Sequence, residues 1–178
     1  MRYPLLAALT LALCSCAQIA PPQKPVHQTM ADRLPPANYA ERLPQTINTG
    51  GVKTVLVDPN VHAWGAYDAN GHLVKAGIAV AGANWCPDIG RACHTRAGTF
   101  RVQSLGAASC KSSIYPLPKG GAPMPYCMFF NGNQGLHGST QLAEANLSHG
   151  CVRLRTSDAE WLRFNFVNIG TKVVVKPY

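Results

Sequence analysis

The sequence predicts a mainly β, loop-rich fold with one or two short helices, and three observations support this prediction. Charged residues make up only 13% of the 178 residues, which is low for a protein built from helical bundles. The chain contains 16 glycines and 14 prolines, so turns are frequent. Short β-branched runs bounded by turn residues recur from Val52 onward, a pattern typical of many short strands.

The first strands are predicted as consecutive hairpins. Residues 52–58 are rich in valine and form a strand, which the turn Asp58-Pro59-Asn60 ends. Residues 61–67 form the next strand, Asp68-Ala69-Asn70-Gly71 is a hairpin signal, and residues 72–80 return. Within the second strand, Trp64 and Tyr67 are expected in the core.

In the middle of the chain, long irregular segments alternate with predicted strands. Residues 81–98 are a glycine-rich segment with cysteines, and residues 100–105 are predicted as one strand. Residues 116–125 contain four prolines, which remove hydrogen-bond donors and fix φ. This long loop is either a wall of a binding cleft or an inert surface loop. Residues 126–130 form a strand that leads to the strand carrying His137.

The end of the chain predicts one helix and a closing strand. Ser157 and Glu160 have the spacing of a capping box. The helix that they open is expected to run to about residue 164, with Trp161 and Leu162 on the core. Residues 171–176 form the last strand.

Residues 1–15 have the features of a lipoprotein signal peptide. Arg2 gives the positive start, and the apolar run 5–13 is too short for an ordinary membrane span. Cleavage after Ser15 would leave Cys16 for lipid modification. An ordinary secretory signal cut elsewhere is the alternative.

Residues 16–50 are polar and proline-bearing, so we expect a flexible tether between the lipid on Cys16 and a domain over residues 51–178. The expected location is the periplasm or cell envelope, with the protein held at a membrane by its lipid. Ala17 and Gln18 carry no sign of inner-membrane retention, so the outer membrane is the default.

The cysteine count agrees with export. With Cys14 in the signal, Cys16 for lipid and Cys151 set aside, an even number remains, which permits three pairings. The remaining cysteines are Cys86, Cys93, Cys110 and Cys127. The nearest-neighbour pairs Cys86–Cys93 and Cys110–Cys127 are favoured. A zinc site beside His94 is the alternative, but there is no Cys-x-x-Cys spacing, and no metal or other cofactor is expected.

The net charge of +8 does not predict a nucleic-acid partner. The basic residues of the chain are scattered, with neither a basic run nor interleaved aromatic residues. A surface suited to an anionic polymer explains the charge equally well.

One short run carries the chemistry: Ser148-His149-Gly150-Cys151-Val152-Arg153-Leu154, preceded by His137-Gly138. A thiol of ordinary pKa is mostly protonated at neutral pH and needs a base to act as a nucleophile. Gly150 permits a sharp turn before Cys151, and the N–H groups of both residues are candidates for an oxyanion hole. Arg153 either binds a carboxylate or bonds neighbouring backbone carbonyls.

This run resembles the signature of the L,D-transpeptidase family, the YkuD-type peptidoglycan cross-linking enzymes, and the resemblance covers about residues 51–178. It implies a YkuD-like β-sandwich, with Cys151 as the acylated nucleophile and His137 as the base. Ser148, His149 and Gly138 are implied to shape the site. The turn Thr95-Arg96-Ala97-Gly98-Thr99-Phe100 resembles a second family segment, with Arg96 in place of the usual proline.

The implied reaction is acyl transfer on peptidoglycan stem peptides, with no cofactor. Two alternatives stay open at this point. Water could be the acyl acceptor, which would make the protein an L,D-carboxypeptidase or endopeptidase. The chain could also be a wall-binding lipoprotein without turnover.

Overall fold

The computed structural model describes residues 37–178. The predicted signal peptide, the lipidation residue Cys16 and residues 16–36 of the predicted tether lie outside the described residues. Within residues 37–178, no helix has the length and apolar character needed to cross a membrane.

The part of the chain that the structure describes forms nine strands in two sheets, which confirms the mainly β prediction. The first sheet has the order β3-β2-β1-β9-β4 and the second β5-β6-β7-β8. The strands are β1 (Thr54–Asp58), β2 (Ala63–Tyr67), β3 (Leu73–Ile78), β4 (Gly98–Arg101), β5 (Ser104–Leu105), β6 (Met128–Asn131), β7 (Gln134–Gly138), β8 (Val152–Leu154) and β9 (Lys172–Val175). Most neighbours are antiparallel, but β1 pairs with β9 and β7 with β8 in parallel.

Successive side chains of β1 point to opposite faces of the sheet, and all five residues of the strand are buried, so both of its faces are covered. Val55 and Val57 contribute to the core between the two sheets, whereas Leu56 belongs to a second cluster. The predicted core residues Trp64 and Tyr67 are both fully buried, one in each cluster.

The amino-terminal boundary differs from the sequence expectation. Residues 37–50, expected as the end of the tether, lie against the first sheet. A 3-10 helix over Tyr39–Arg42 places Tyr39 and Leu43 in the second core cluster, where they are 6% and 4% exposed. Thr46 also forms an antiparallel bridge to His72. The burial of Tyr39 and Leu43 orders this segment, although its polar, proline-bearing composition predicted a flexible tether.

Replacing Leu43 by alanine is therefore expected to lower the free energy of unfolding by about 2–4 kcal/mol, the usual cost of emptying a buried leucine site. Chemical denaturation followed by circular dichroism measures the change. Val74→Ala, at a side chain that is 53% exposed, is the matched control and should be nearly neutral. Equal stability of the two variants would show that residues 37–50 add nothing to the domain.

Residues 100–105 do not form the single predicted strand. The segment is divided between β4 in the first sheet and β5 in the second. The Val102 N–H donates to Thr171 and the Gln103 N–H to Phe129, so the chain crosses from one sheet to the other at these two residues.

The helical segment covers residues 156–166, slightly beyond the predicted end near residue 164, but its α-helical part is shorter than expected and the predicted capping box is wrong. Helix α1 covers Thr156–Trp161 and has no side-chain cap, and a wider π-helical turn follows over Leu162–Phe166. The Glu160 carboxylate instead accepts a hydrogen bond from the Tyr126 hydroxyl at 2.8 Å. Leu162 is fully buried, and Trp161 packs against the core as expected.

Candidate active site

The parallel pair of β7 and β8 brings the two motif segments together. His137 on β7 lies opposite Arg153 on β8, and Cys151 directly precedes β8. All three line one cavity of about 670 Å³. The parallel register pairs Leu136 with Val152 and His137 with Arg153, so Cys151, one residue before β8, lies beside the middle of β7.

His137 is 6% exposed, and its Nδ1 lies 2.9 Å from the Gly138 carbonyl oxygen. A carbonyl oxygen only accepts, so Nδ1 carries the ring proton and Nε2 is the basic nitrogen. Burial lowers the pKa of His137 to about 4, and the charge of Arg153 acts in the same direction. The imidazole is therefore neutral at physiological pH and able to accept a proton.

Cys151 is half-buried and is the one free cysteine within residues 37–178. Its Sγ lies 3.3 Å from the Asn133 carbonyl oxygen, to which the thiol donates. Burial raises the pKa of the Cys151 thiol, while the Gly135 N–H and the charge of Arg153 act in the opposite direction. The resting thiol is thus protonated and requires a base for reaction.

The turn before Cys151 is held by Ser148. Its hydroxyl donates a short hydrogen bond to the Cys151 carbonyl and accepts one from the Gly150 N–H at 3.1 Å. Gly150 has φ 118°, a conformation that disfavours any side chain. The Thr95 hydroxyl donates to the Gly150 carbonyl at 2.9 Å. The turn is consequently fixed from both sides.

This geometry corrects one expectation about the oxyanion hole. The Gly150 N–H is occupied by the Ser148 hydroxyl, so it is not free to bind an oxyanion. The Cys151 N–H has no acceptor within residues 37–178 and remains the candidate donor.

The His149 side chain has a role that sequence reasoning did not predict. Its Nε2 lies 2.8 Å from an Asp88 carboxylate oxygen, and its ring packs on Tyr115 at a centroid distance of 4.4 Å. Asp88 belongs to the 86–93 segment and Tyr115 to the segment that leads into the proline-rich loop. His149 therefore joins the two loops beside Cys151.

Both favoured disulfides, Cys86–Cys93 and Cys110–Cys127, are present. The first closes the loop carrying Asp88, and the second closes the proline-rich loop at its base. Ligand atoms of Cys86, Cys93 and His149 lie within 4.8 Å of one another. The two cysteine sulfurs are bonded to each other, so this cluster offers no thiolate pair for the zinc alternative.

The proline-rich loop lies on the cavity, as the cleft-wall interpretation expects. Pro123, Met124 and Pro125 are among the residues that line the cavity. Three cations, Arg91, Lys111 and Arg153, also line it, whereas no Asp or Glu from residues 37–178 does.

Arg153 is half-buried, and burial lowers its pKa. Its backbone N–H and C=O pair with Val80, but its guanidinium has neither a hydrogen-bond acceptor nor a carboxylate partner within residues 37–178. The alternative in which the side chain bonds backbone carbonyls is therefore not seen. An unpaired guanidinium beside Cys151 is suited to binding a carboxylate.

Several site residues were missed by sequence reasoning: Asp88, Tyr115, Asn133, Gly135 and Thr95. Four of them act through contacts between distant parts of the chain, which local patterns do not reveal. Thr95 had a signal, because it begins the segment that resembles a second family motif. Its hydroxyl also accepts the Gly82 N–H at 2.9 Å, so this segment braces the turn at Gly150.

The comparisons with known proteins agree with the fold. The family model described as the L,D-transpeptidase catalytic domain, YkuD, matches residues 53–175. The chain therefore belongs to the YkuD L,D-transpeptidase catalytic domain family. No curated protein is similar to this chain at a significant level.

Solved structures share the fold at low sequence identity. An L,D-transpeptidase from Xylanimonas cellulosilytica is 24% identical, with a TM-score of 0.63 over 76% of this chain and 66% of that one. One from Stackebrandtia nassauensis is 21% identical, with a TM-score of 0.58 over 75% and 59%. L,D-transpeptidase 3 from Mycobacterium tuberculosis, with a faropenem-derived adduct, is 21% identical, with a TM-score of 0.55 over 71% and 60%. The chain thus spans less than two thirds of each of these structures.

Proposed function

We propose that this protein is a peptidoglycan L,D-transpeptidase that works through a cysteine acyl-enzyme. The observation that carries the proposal is the cavity itself. One free thiol, Cys151, and one neutral histidine with a basic Nε2, His137, line it together.

The first half-reaction transfers the acyl group to sulfur. His137 Nε2 takes the Cys151 thiol proton while Sγ attacks the carbonyl carbon of the third stem residue. The Cys151 N–H donates to the oxyanion that forms. The bond to the terminal D-alanine then breaks, and its nitrogen takes the proton from His137, which leaves a thioester on Cys151.

The second half-reaction releases the thioester to an amine. The acceptor amine loses its proton to His137 and attacks the thioester carbon. The carbon–sulfur bond breaks, sulfur regains a proton, and a new amide joins donor and acceptor. His137 acts first as base and then as acid, which its low pKa permits because it returns the proton readily.

The charge of the cavity supports a substrate rich in carboxylates. Arg91 and Lys111 come from the two disulfide-closed loops and Arg153 from β8, and none of the three has a carboxylate partner within residues 37–178. Stem peptides of peptidoglycan bear several carboxylates. We assign Arg153, beside Cys151, to the carboxylate nearest the attacked carbonyl.

For location, the proposal follows the sequence: an exported protein in the cell envelope, held through lipid on Cys16 at the outer membrane. The cross-linking substrate lies in the same compartment. Metabolic labelling with a lipid analogue, compared between wild type and Cys16→Ala, tests this part independently of catalysis.

The acceptor is tested with the full chain and a disaccharide-tetrapeptide donor, with and without an added amine acceptor bearing the side-chain amine of a stem peptide. Products are separated by liquid chromatography and weighed. A transpeptidase gives a cross-linked product that scales with acceptor. Formation of tripeptide as the sole product, with or without acceptor, would identify an L,D-carboxypeptidase. Absence of any product from the folded protein would favour a wall-binding role.

A further inference from the structure

A second cavity, of about 530 Å³, lies next to the active-site cavity. Asn60, Asn84, Trp85, Leu147 and Tyr178 are among its lining residues, and we call this surface the Trp85 shelf. Within residues 37–178 no Asp, Glu, Lys or Arg lines it, in contrast to the cationic active-site cavity.

The shelf presents an aromatic surface to solvent. Trp85 is 59% exposed and Leu147 is 53% exposed, and the two side chains line the same cavity, so they form a shared apolar surface rather than isolated exposed residues. An exposed indole flanked by amides, without charges, fits a neutral ligand that has both apolar faces and hydroxyl groups. A pyranose ring has this chemistry, because its C–H face packs on an aromatic ring while its hydroxyls form hydrogen bonds.

Hydrogen bonds within the protein position the polar side chains of the shelf, but each of the two asparagines keeps one polar atom without a partner within residues 37–178. Asn84 Oδ1 lies 2.7 Å from His94 Nε2, and His94 stacks on Tyr178 at a centroid distance of 4.6 Å. The Asn84 Nδ2 group has no acceptor within residues 37–178 and can donate to a ligand. Asn60 Nδ2 donates to the Pro177 carbonyl at 2.8 Å, and Asn60 Oδ1 has no donor there.

The shelf and the active-site cavity are lined by neighbouring residues, since Trp85 precedes Cys86, whose Sγ lies within 4.8 Å of a His149 ring nitrogen. Leu147 lines the shelf, whereas Ser148, His149 and Cys151 line the reactive cavity. Four Cα–Cα steps separate residues 147 and 151, so their Cα atoms are at most about 15 Å apart. Three extended residues, the length of stem between the saccharide and the attacked carbonyl, reach about 10 Å, so the inference requires the sugar to bind at the Leu147 end of the shelf.

We infer that the Trp85 shelf is a saccharide subsite, which binds the N-acetylated sugar of the donor while its stem lies in the cationic cavity. This inference rests on the proposed function, since the stem must reach Cys151 from the sugar. It assigns a neutral glycan ligand to the cavity that no Asp, Glu, Lys or Arg of residues 37–178 lines, and a charged peptide to the cationic one.

The test compares two donors on the full chain: a free tetrapeptide stem and the same stem attached to its disaccharide. For Trp85→Ala, we expect KM for the disaccharide donor to rise about tenfold, the scale of losing one stacked ring. The kcat should change little, and the free stem should react as in wild type. Trp85→Phe should recover most of the loss. Phe164→Ala, at an aromatic residue that is 63% exposed and lines neither cavity, is the matched control.

Failure of the saccharide subsite and failure of the proposed function would give different results. If wild type uses both donors and Trp85→Ala affects them equally or not at all, the saccharide subsite is wrong and the proposed function stands. If wild type uses neither donor, the proposed function fails. Calorimetry with the free disaccharide then decides the subsite: binding lost in Trp85→Ala supports it, and no binding to wild type overturns it.

Discussion

Replacing Cys151 by alanine is expected to abolish turnover of peptidoglycan donors, with a loss of at least about 10³-fold in kcat/KM, because the covalent route disappears. The residual cavity keeps His137 and the three cations, so donor binding should persist with a similar dissociation constant. Chromatographic assay of products measures the first quantity and calorimetry the second.

The control for Cys151 is its serine variant, which keeps the shape of the site but supplies a weaker nucleophile. Cys151→Ser should fold like wild type and also lack turnover. Product formation by Cys151→Ala at more than a few per cent of the wild-type rate would contradict a cysteine acyl-enzyme.

The second large effect concerns His137 and pH. Its pKa is about 4, so the imidazole stays neutral as pH falls through 6.5 and becomes charged only near pH 4. Wild-type kcat/KM should therefore stay level between about pH 5 and 8 and fall only below this range. His137→Gln should lose about 10²–10⁴-fold at neutral pH, the usual contribution of a general base.

The shape of the variant's pH profile gives a further check. Without a base, His137→Gln depends on thiolate formed by solvent. Since burial raises the pKa of the Cys151 thiol, its residual activity should climb with pH beyond neutrality, whereas the wild-type profile is flat. A wild-type acid limb near pH 6.5 would indicate a solvated histidine and contradict this account.

Structural features that are encoded by a few consecutive residues were predicted from the sequence, whereas features that depend on contacts between distant segments were not. Strands β1 to β3 were predicted because their valine-rich runs and Asp-containing turns are contiguous in sequence. The meeting of His137 and Cys151 in one cavity was predicted because a short motif places them on adjacent segments. Residues 37–50 were misassigned because Tyr39 and Leu43 become anchors only when the first sheet supplies a buried site for them.

The surroundings of Cys151 were not predictable in the same way. Asp88 reaches His149 across 61 residues of sequence, and Tyr115 reaches the same ring from another loop. Occupation of the Gly150 N–H by Ser148 depends on one backbone conformation, φ 118° at Gly150. Such contacts follow from the assembled sheets and disulfides rather than from any local pattern.

The central claim is that Cys151 carries the acyl group, and intact-mass spectrometry of the full chain tests it most directly. After brief exposure to a disaccharide-tetrapeptide donor and acid quenching, the protein should gain the mass of the donor minus D-alanine, and peptide mapping should place the addition on Cys151. The Cys151→Ala protein should gain nothing. An unmodified wild-type protein that nevertheless forms product, or an adduct on another residue, would contradict the claim.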